Sequence, residues 1–323
     1  MRTLLLLLLL LGSAQAADTS AFVQRMVEKH GFSAQEVEAI LAKARFRQAI
    51  IDKISRPAER TLNWTQYRNI FLQPKRIRGG VQFMARNREA LARAEKIYGV
   101  PPEIVTAIIG VETFYGRITG KDRVLDALYT LAFHYPKRSK FFTAELENYL
   151  LLTRQEGLDP TVPKGSYAGA MGLGQFMPSS FLAYAVDFDG DGKRDIWNNE
   201  TDAIGSVANY FKRHGWKRDF PVVLPAQGVD PKRHRAYLDG GLKPRHTLAE
   251  LRRAGIQFDD LINDQLEAAL IELETDQGKR YWLGLDNFYT ITRYNHSPMY
   301  ALVVHQLSQA IAKAAAEDHG QGR

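Results

Sequence analysis

Apolar residues recur at helical spacing along most of this chain, and that periodicity confines it to folds built mainly from packed α-helices. Asp18 to Ser20 open a helix that runs to His30-Gly31, and Ser33 with Glu36 reads as a capping box for the next. Met84, Leu91, Ala94 and Tyr98 form one stripe, Phe142, Leu146, Tyr149 and Thr153 a second, and Ile204, Val207, Ala208 and Phe211 a third. The last long helix starts at Ser297-Pro298, with Ser as cap and Pro in the first turn, and buries Tyr300, Val303, Leu307 and Ile311. These stripes read as core, not as cofactor boxes. Between about Phe220 and Thr292 the period changes to two. Ile271 and Leu273 alternate with Glu272 and Glu274, and Tyr281, Leu283 and Leu285 follow among frequent Gly and Pro. The expected class is α+β, predominantly α, with a small antiparallel β insert.

The first residues read as an address. Met1 and Arg2 precede an unbroken leucine run from Leu4 to Leu11 and then Ala14-Gln15-Ala16, the pattern of a cleaved export signal spanning 1–16. Eight leucines are too few to span a bilayer, and no later stretch approaches the ~20 apolar residues of a membrane helix. The mature chain is therefore expected to be soluble and exported. It has no cysteine, which removes thiolate ligands, thiol nucleophiles, disulfides and a lipid-attachment site at once. The net charge of +7 stays positive once Arg2 is lost. Basic residues concentrate at Lys75, Arg76 and Arg78, and again across Lys232, Arg233, Arg235, Lys243, Arg245, Arg252 and Arg253. Such runs are commonly solvated faces. For an exported chain nucleic acid is a poor partner, whereas a cell-wall glycan carrying peptide carboxylates suits the same electrostatics.

Three segments carry chemistry. In Gly99-Val-Pro-Pro-Glu-Ile-Val-Thr-Ala-Ile-Ile-Gly-Val-Glu112-Thr-Phe-Tyr-Gly116, paired prolines open a helix and Gly116 is expected to close it. Glu112 follows Val105, Ile108 and Ile109 at helical spacing, so it stands on the apolar face. Desolvation there is expected to favour the protonated form that a general acid needs; a Glu paired with a buried base is the plainer alternative. In Tyr167-Ala-Gly-Ala-Met-Gly-Leu-Gly-Gln175-Phe-Met-Pro-Ser-Ser180, small residues would let a chain-like ligand approach the backbone, with the Gln175 amide as donor and acceptor. Tight packing explains the glycines almost as well, and the Walker lysine of a phosphate loop is missing. Third, Asp187-Phe-Asp189-Gly-Asp191-Gly192-Lys193-Arg-Asp195 matches the first two thirds of an EF-hand loop, with hard oxygen ligands for Ca²⁺. Position twelve is Asn198 instead of a bidentate Glu, and Asp202 could close a longer loop, 187–202.

Taken together, Gly110-Val-Glu-Thr-Phe-Tyr-Gly116, Gly172-Leu-Gly-Gln-Phe-Met-Pro-Ser-Ser180, the Asp187 loop with Asp202-Ala-Ile-Gly-Ser-Val-Ala-Asn-Tyr-Phe211, and Arg293-Tyr-Asn295 resemble the B-type lytic murein transglycosylases of Gram-negative bacteria. The resemblance implies a lysozyme-like core and cleavage of the β-1,4 bond between N-acetylmuramic acid and N-acetylglucosamine without water, leaving a 1,6-anhydromuramoyl end. By motif, Glu112 carries over as the single catalytic acid and base. Tyr67, Arg138, Ser166, Gln175, Tyr210, Tyr294 and Asn295 carry over as residues of the sugar cleft, and Asp187, Asp189, Asp191, the Lys193 carbonyl and Asp202 as calcium ligands. Ca²⁺ is the one cofactor implied, in a structural role, with no organic cofactor. An ordinary retaining glycosidase sets a second carboxylate about 5 to 5.5 Å from its acid. One carboxyl suffices if it protonates the leaving oxygen and then deprotonates the C6 hydroxyl that attacks within the same sugar.

The implied organisation is an N-terminal helical region, 17–98, joined by the C-terminal helix 297–316. A lysozyme-like catalytic core occupies 99–216 and the β insert 217–292, and 293–323 supplies a cleft segment and the last helix. Many members are lipoproteins, and the lack of cysteine points instead to a soluble periplasmic one. The expected partner is the glycan strand of peptidoglycan, with proteins of wall synthesis or division as possible companions. A hydrolytic muramidase and a non-catalytic, calcium-stabilised wall-binding protein are the competing readings.

Overall fold

A computed structural model describes residues 19–55, 62–259 and 261–321; the leader at 1–16 lies outside them. The described chain is mostly helical, with two small antiparallel sheets. Helix α1 (Ser20–His30) ends on Gly31 at φ +64°, whose N–H returns to Met26 and Val27, and α2 (Ala34–Ala42) is capped by the Ser33 hydroxyl accepting from the Glu36 N–H. After α3 (Gln48–Ile54), a full capping box between Asn63 and Gln66 starts α4 (Trp64–Phe71). The stripe from Met84 to Tyr98 belongs to two helices, α5 (Pro74–Arg86) and α6 (Arg88–Tyr98), because the chain turns at Asn87, whose side chain bonds the Phe83 carbonyl.

Helix α7 (Pro102–Thr113) is the axis of the molecule. Every residue from Ile104 to Gly110 is buried, as expected of a helix apolar on all sides. It is surrounded by α5, α6, α11 (Glu200–Arg213) and α15 (Pro298–Gln321). The antiparallel pairing of β1 (Asp122–Arg123) with β2 (Lys164–Gly165) brackets α8 (Val124–His134) and α9 (Ser139–Gln155), and α10 (Pro178–Tyr184) follows the glycine-rich loop. No helix of the described residues is long and apolar enough to cross a membrane.

The segment after α11 is mixed. A sheet ordered β3-β6-β5-β4 is formed by β3 (Val223–Ala226), β4 (His246–Thr247), β5 (Glu267–Thr275) and β6 (Gly278–Gly284), with Ile271 opposite Trp282. It carries two short helices, α12 (Arg235–Leu238) and α13 (Leu248–Arg253). Both faces of β5 are used: Ala268 and Leu270 join a small core with Leu248, Leu251, Ile256 and Leu283, while Ile271 and Leu273 join the main one. The β insert expected to reach Thr292 stops at Gly284. Residues from Asp286 on form α14 (Asp286–Tyr294), because Phe288, Ile291 and Thr292 bury at helical rather than alternate spacing. Buried Asn287 anchors the helix by bonding the Lys217 N–H and carbonyl and the Phe220 carbonyl. The last helix begins as expected, with the Ser297 hydroxyl accepting from the Tyr300 N–H.

Candidate active site and calcium loop

Glu112 is the penultimate residue of α7, half-buried where the central helix surfaces. The helix does not run on to Gly116. It ends at Thr113, and Phe114, Tyr115 and Gly116 then take left-handed backbone at φ +51°, +60° and +82°. Two non-glycine residues in that region cost of order 1–3 kcal/mol each and persist only where surroundings hold them. Here the surroundings do. Buried Thr113 donates to the Leu173 and Ile109 carbonyls at 2.9 and 3.1 Å and accepts from the Gly116 N–H at 3.0 Å. Tyr115 fills a slot that exists because Gly79, Gly80 and Gly110 lack side chains; a Cβ on any of them would stand 2.7–2.8 Å from its ring or hydroxyl. Its hydroxyl donates to the Arg76 carbonyl at 2.8 Å.

The acid has a buried partner. Tyr300, from the first turn of α15, donates its hydroxyl to Glu112 Oε1 at 2.6 Å. Burial pushes the Tyr300 and Tyr294 phenols well above the usual tyrosine range, and the facing Glu112 carboxylate pushes the same way, so both remain hydrogen-bond donors. Tyr294, stacked on Tyr300 with centroids 6.4 Å apart, donates to the Gly174 carbonyl at 2.5 Å. Tyr210 lies against Tyr294 at 4.8 Å and donates to the Arg293 carbonyl at 2.5 Å. Buried Tyr67, on α4, lies close enough to Tyr300 to add to what keeps it protonated. Glu112, Tyr67, Tyr210 and Tyr294 are thus brought into one neighbourhood. In sequence Tyr300 reads as core, marked only by a hydroxyl at the first turn of an otherwise apolar stripe.

The glycine-rich loop packs against protein more than it opens to a ligand. A Cβ at Gly172 would stand 2.4 Å from the Ile196 carbonyl, and one at Gly174 would stand 2.9 Å from the Tyr294 hydroxyl. Gln175, at φ +50°, spends its amide nitrogen on the Thr119 and Gly172 carbonyls at 3.1 and 2.9 Å, so its side chain offers a ligand an acceptor and not the expected donor. The Ser166 hydroxyl oxygen receives the Ala168 and Ala170 N–H groups and keeps its own hydrogen for donation. Asn295 ends α14, its carbonyl accepting from the Ser297 N–H. Arg138 stands exposed at the corner between α8 and α9, stacked on Phe141 and Phe142 at 4.3 and 5.2 Å.

In the Asp187 loop, oxygens of Asp187, Asp189 and Asp202 converge within 4.8 Å of one another. Backbone N–H groups of Gly190, Asp191 and Gly192 point at Asp187, and the Asn199 amide at Asp189. Asp202, fully buried at the start of α11, accepts from the Phe188 and Asp195 N–H groups at 2.7 and 2.8 Å. Burial raises its carboxyl above the usual range, whereas the Asn199 bond lowers that of Asp189. Asn198 turns its amide to Asp195, and it is Asp202 whose carboxylate converges with those of Asp187 and Asp189. Asp191 is exposed, holds the Lys193 N–H and is not among the three that converge. Three hard oxygens at this separation suit a divalent cation of the calcium type. Arg93 ties the loop to α6 by bonding the Phe188 carbonyl and stacking on its ring at 4.2 Å.

Residues 14–309 match the family described as Transglycosylase SLT domain. Membrane-bound lytic murein transglycosylase B of Escherichia coli K12 is 45% identical over 310 residues, covering 93% of this chain and 84% of the relative. The crystal structure of soluble lytic transglycosylase SltB1 from Pseudomonas aeruginosa superposes with a TM-score of 0.86 at 50% identity, over 92% of this chain and 98% of that one. That of Escherichia coli lytic transglycosylase Slt35 in complex with calcium gives 0.84 at 46% identity, over 92% and 93%.

Proposed function

The chain belongs to the lysozyme-like lytic murein transglycosylases, enzymes that cleave glycosidic bonds of peptidoglycan, and from that premise we propose that Glu112 alone carries the proton transfers. The observation that carries this reading is the Tyr300 hydroxyl, held protonated by burial and seated 2.6 Å from Glu112 Oε1. Glu112 gives its proton to the oxygen linking N-acetylmuramic acid to N-acetylglucosamine. As the carboxylate forms, Tyr300 stabilises the new charge, a hydrogen bond that strengthens in the transition state. The carboxylate then takes the proton of the muramic C6 hydroxyl, whose oxygen closes on the anomeric carbon to give the 1,6-anhydro ring. Tethering that nucleophile within the same sugar supplies a high effective molarity against water. Ser166 Oγ–H and the Gln175 carbonyl line the sugar site, with Tyr67, Tyr210 and Tyr294 as its aromatic wall.

Ca²⁺ is held by Asp187, Asp189 and Asp202, with Asp191 and the Lys193 carbonyl as further ligands. It joins the loop to the buried start of α11 and takes no part in the chemistry. The enzyme works in the periplasm as a soluble protein once its leader is removed. The test is Glu112→Gln on purified cell wall, with mass spectrometry of the wild-type products. Loss of at least ~10²-fold in activity with an unchanged melting point is expected. Activity within about tenfold of wild type, or products heavier by one water, would overturn the reading.

A further inference from the structure

Three cations crowd one ring beside the acid, and among the described residues no carboxylate pairs with them. Phe114, two residues past Glu112, has the Lys75 Nζ 5.9 Å, the Arg76 guanidinium 4.9 Å and the Arg117 guanidinium 5.1 Å from its centroid. All three lie within the ~6 Å reach of cation–π attraction. Among the described residues none of the three forms an ion pair, whereas Arg86, Arg123 and Arg194 are matched by Glu200, Asp126 and Glu156. An aromatic face attracts cations without cancelling their charge, so the cluster keeps a local excess of positive potential. Arg76 feels it most: it is half-buried, burial lowers its pKa, and its Nε is enclosed without a hydrogen-bond partner.

The surroundings narrow the ligand. Ile70 and Ile118 flank the cluster at 45% and 66% exposure, so aliphatic surface stands beside the charge. Phe71 links the patch to the aromatic wall, 5.2 Å from Tyr67 on one side and 5.0 Å from the Arg76 guanidinium on the other. An uncharged sugar matches neither the cations nor the isoleucines. We propose that the Phe114 cluster docks the carboxylates of the peptide stems that the murein glycan carries, their small aliphatic side chains resting on Ile70 and Ile118. The assignment rests on the chain acting on peptidoglycan. It adds a peptide-reading site to the sugar-reading cleft, in which the exposed Arg117 guanidinium can take a carboxylate in bidentate fashion while Arg76 keeps one N–H on the Ile70 carbonyl.

The test uses binding, so it does not depend on turnover. Glu112→Gln protein, and the same protein with Lys75→Gln and Arg117→Gln added, are bound to purified sacculi either intact or stripped of peptides by an amidase. Stripped strands keep a carboxylate on each lactyl group, which controls for bulk attraction. Lys75 and Arg117 are exposed, so the melting point should not move; Arg76 is left in place because its side chain is half-buried and donates to the Ile70 carbonyl. The added substitutions should weaken binding to intact walls about five- to tenfold, with the loss fading at high salt, and leave binding to stripped walls unchanged. Equal loss on both walls, or none on intact ones, overturns the proposal. Wall-lytic activity retained by Glu112→Gln would instead count against Glu112 as the acid, and the binding comparison would still decide this proposal.

Discussion

Replacing Tyr300 with Phe removes one oxygen from the neighbourhood of Glu112 and little else. The ring is 2% exposed and stacked on Tyr294, so the phenyl group keeps its place. What is lost is a 2.6 Å bond from a hydroxyl that burial keeps protonated. Hydrogen bonds to charged groups contribute about 1.5–3 kcal/mol. Glu112 is neutral before it gives up its proton and charged afterwards, so most of that sum is felt in the transition state and little in the bound ground state. At about 1.36 kcal/mol per decade, kcat should fall roughly 10- to 100-fold. KM should hardly move, since the hydroxyl faces the acid and not the sugar. The melting point should drop by only about 2 to 4 °C, the cost of one buried hydroxyl. Initial rates of soluble product release from purified cell wall, across a substrate range, separate the two constants. A kcat within about twofold of wild type would refute the argument, as would a KM rise that accounts for the whole loss.

Removing calcium with a chelator should lower the melting point, since an ion at a hundredfold excess over Kd adds about 2.7 kcal/mol. Asp187→Ala should melt low and ignore chelator, and identical curves with and without chelator on metal-free protein would dismiss the ion. Gly174→Ala should cost about 1–3 kcal/mol and reduce activity, because its Cβ would stand 2.9 Å from the Tyr294 hydroxyl and 3.0 Å from Val207; an unchanged melting point contradicts that. His305, with Nδ1 buried and unpartnered, is pushed down to about 4 by burial. The unfolded chain takes up its proton near pH 6.5 while the folded one refuses it to about pH 4, so stability present above that window is lost as pH falls through it, by about 3 kcal/mol. Urea midpoints at pH 7 and 4.5 should therefore fall further for wild type than for His305→Leu, and equal falls would exclude His305 as the cause.

Glu112 and the Asp187 loop were legible because each depends on short spacing: one turn of helix places a carboxyl on an apolar face, and alternating aspartates with glycines make a loop of oxygens. The helical stripes in α9, α11 and α15 were legible for the same reason. What escaped depends on contacts between distant segments. Nothing local marks Phe114 and Tyr115 as left-handed, since the glycines that make room for Tyr115 lie in α5 and α7. Tyr300 looked like core because its ring is core and only its last atom is not. The alternation in β5 implies that the face of Glu272 and Glu274 is wet, yet on that face Ala268 and Leu270 are buried in the small core, while Ile271 and Leu273 opposite join the main one. Apolar residues after Leu285 follow the strand without a break in composition, and only the helical interval of Phe288 and Ile291 sets α14 apart from the sheet.

The bond between Glu112 and Tyr300 spans 188 residues. At a ribosomal pace of about 5–20 residues per second, the acid is made roughly 10 to 40 s before the hydroxyl that completes it. Until α15 has been delivered and has closed against α7, the nascent chain holds the Glu112 carboxyl without the Tyr300 hydroxyl. Any fragment cut short before Tyr300 stays in that condition for good. The length of the chain thus acts as a delay line, in which a wall-cutting centre is assembled by the last helix to arrive.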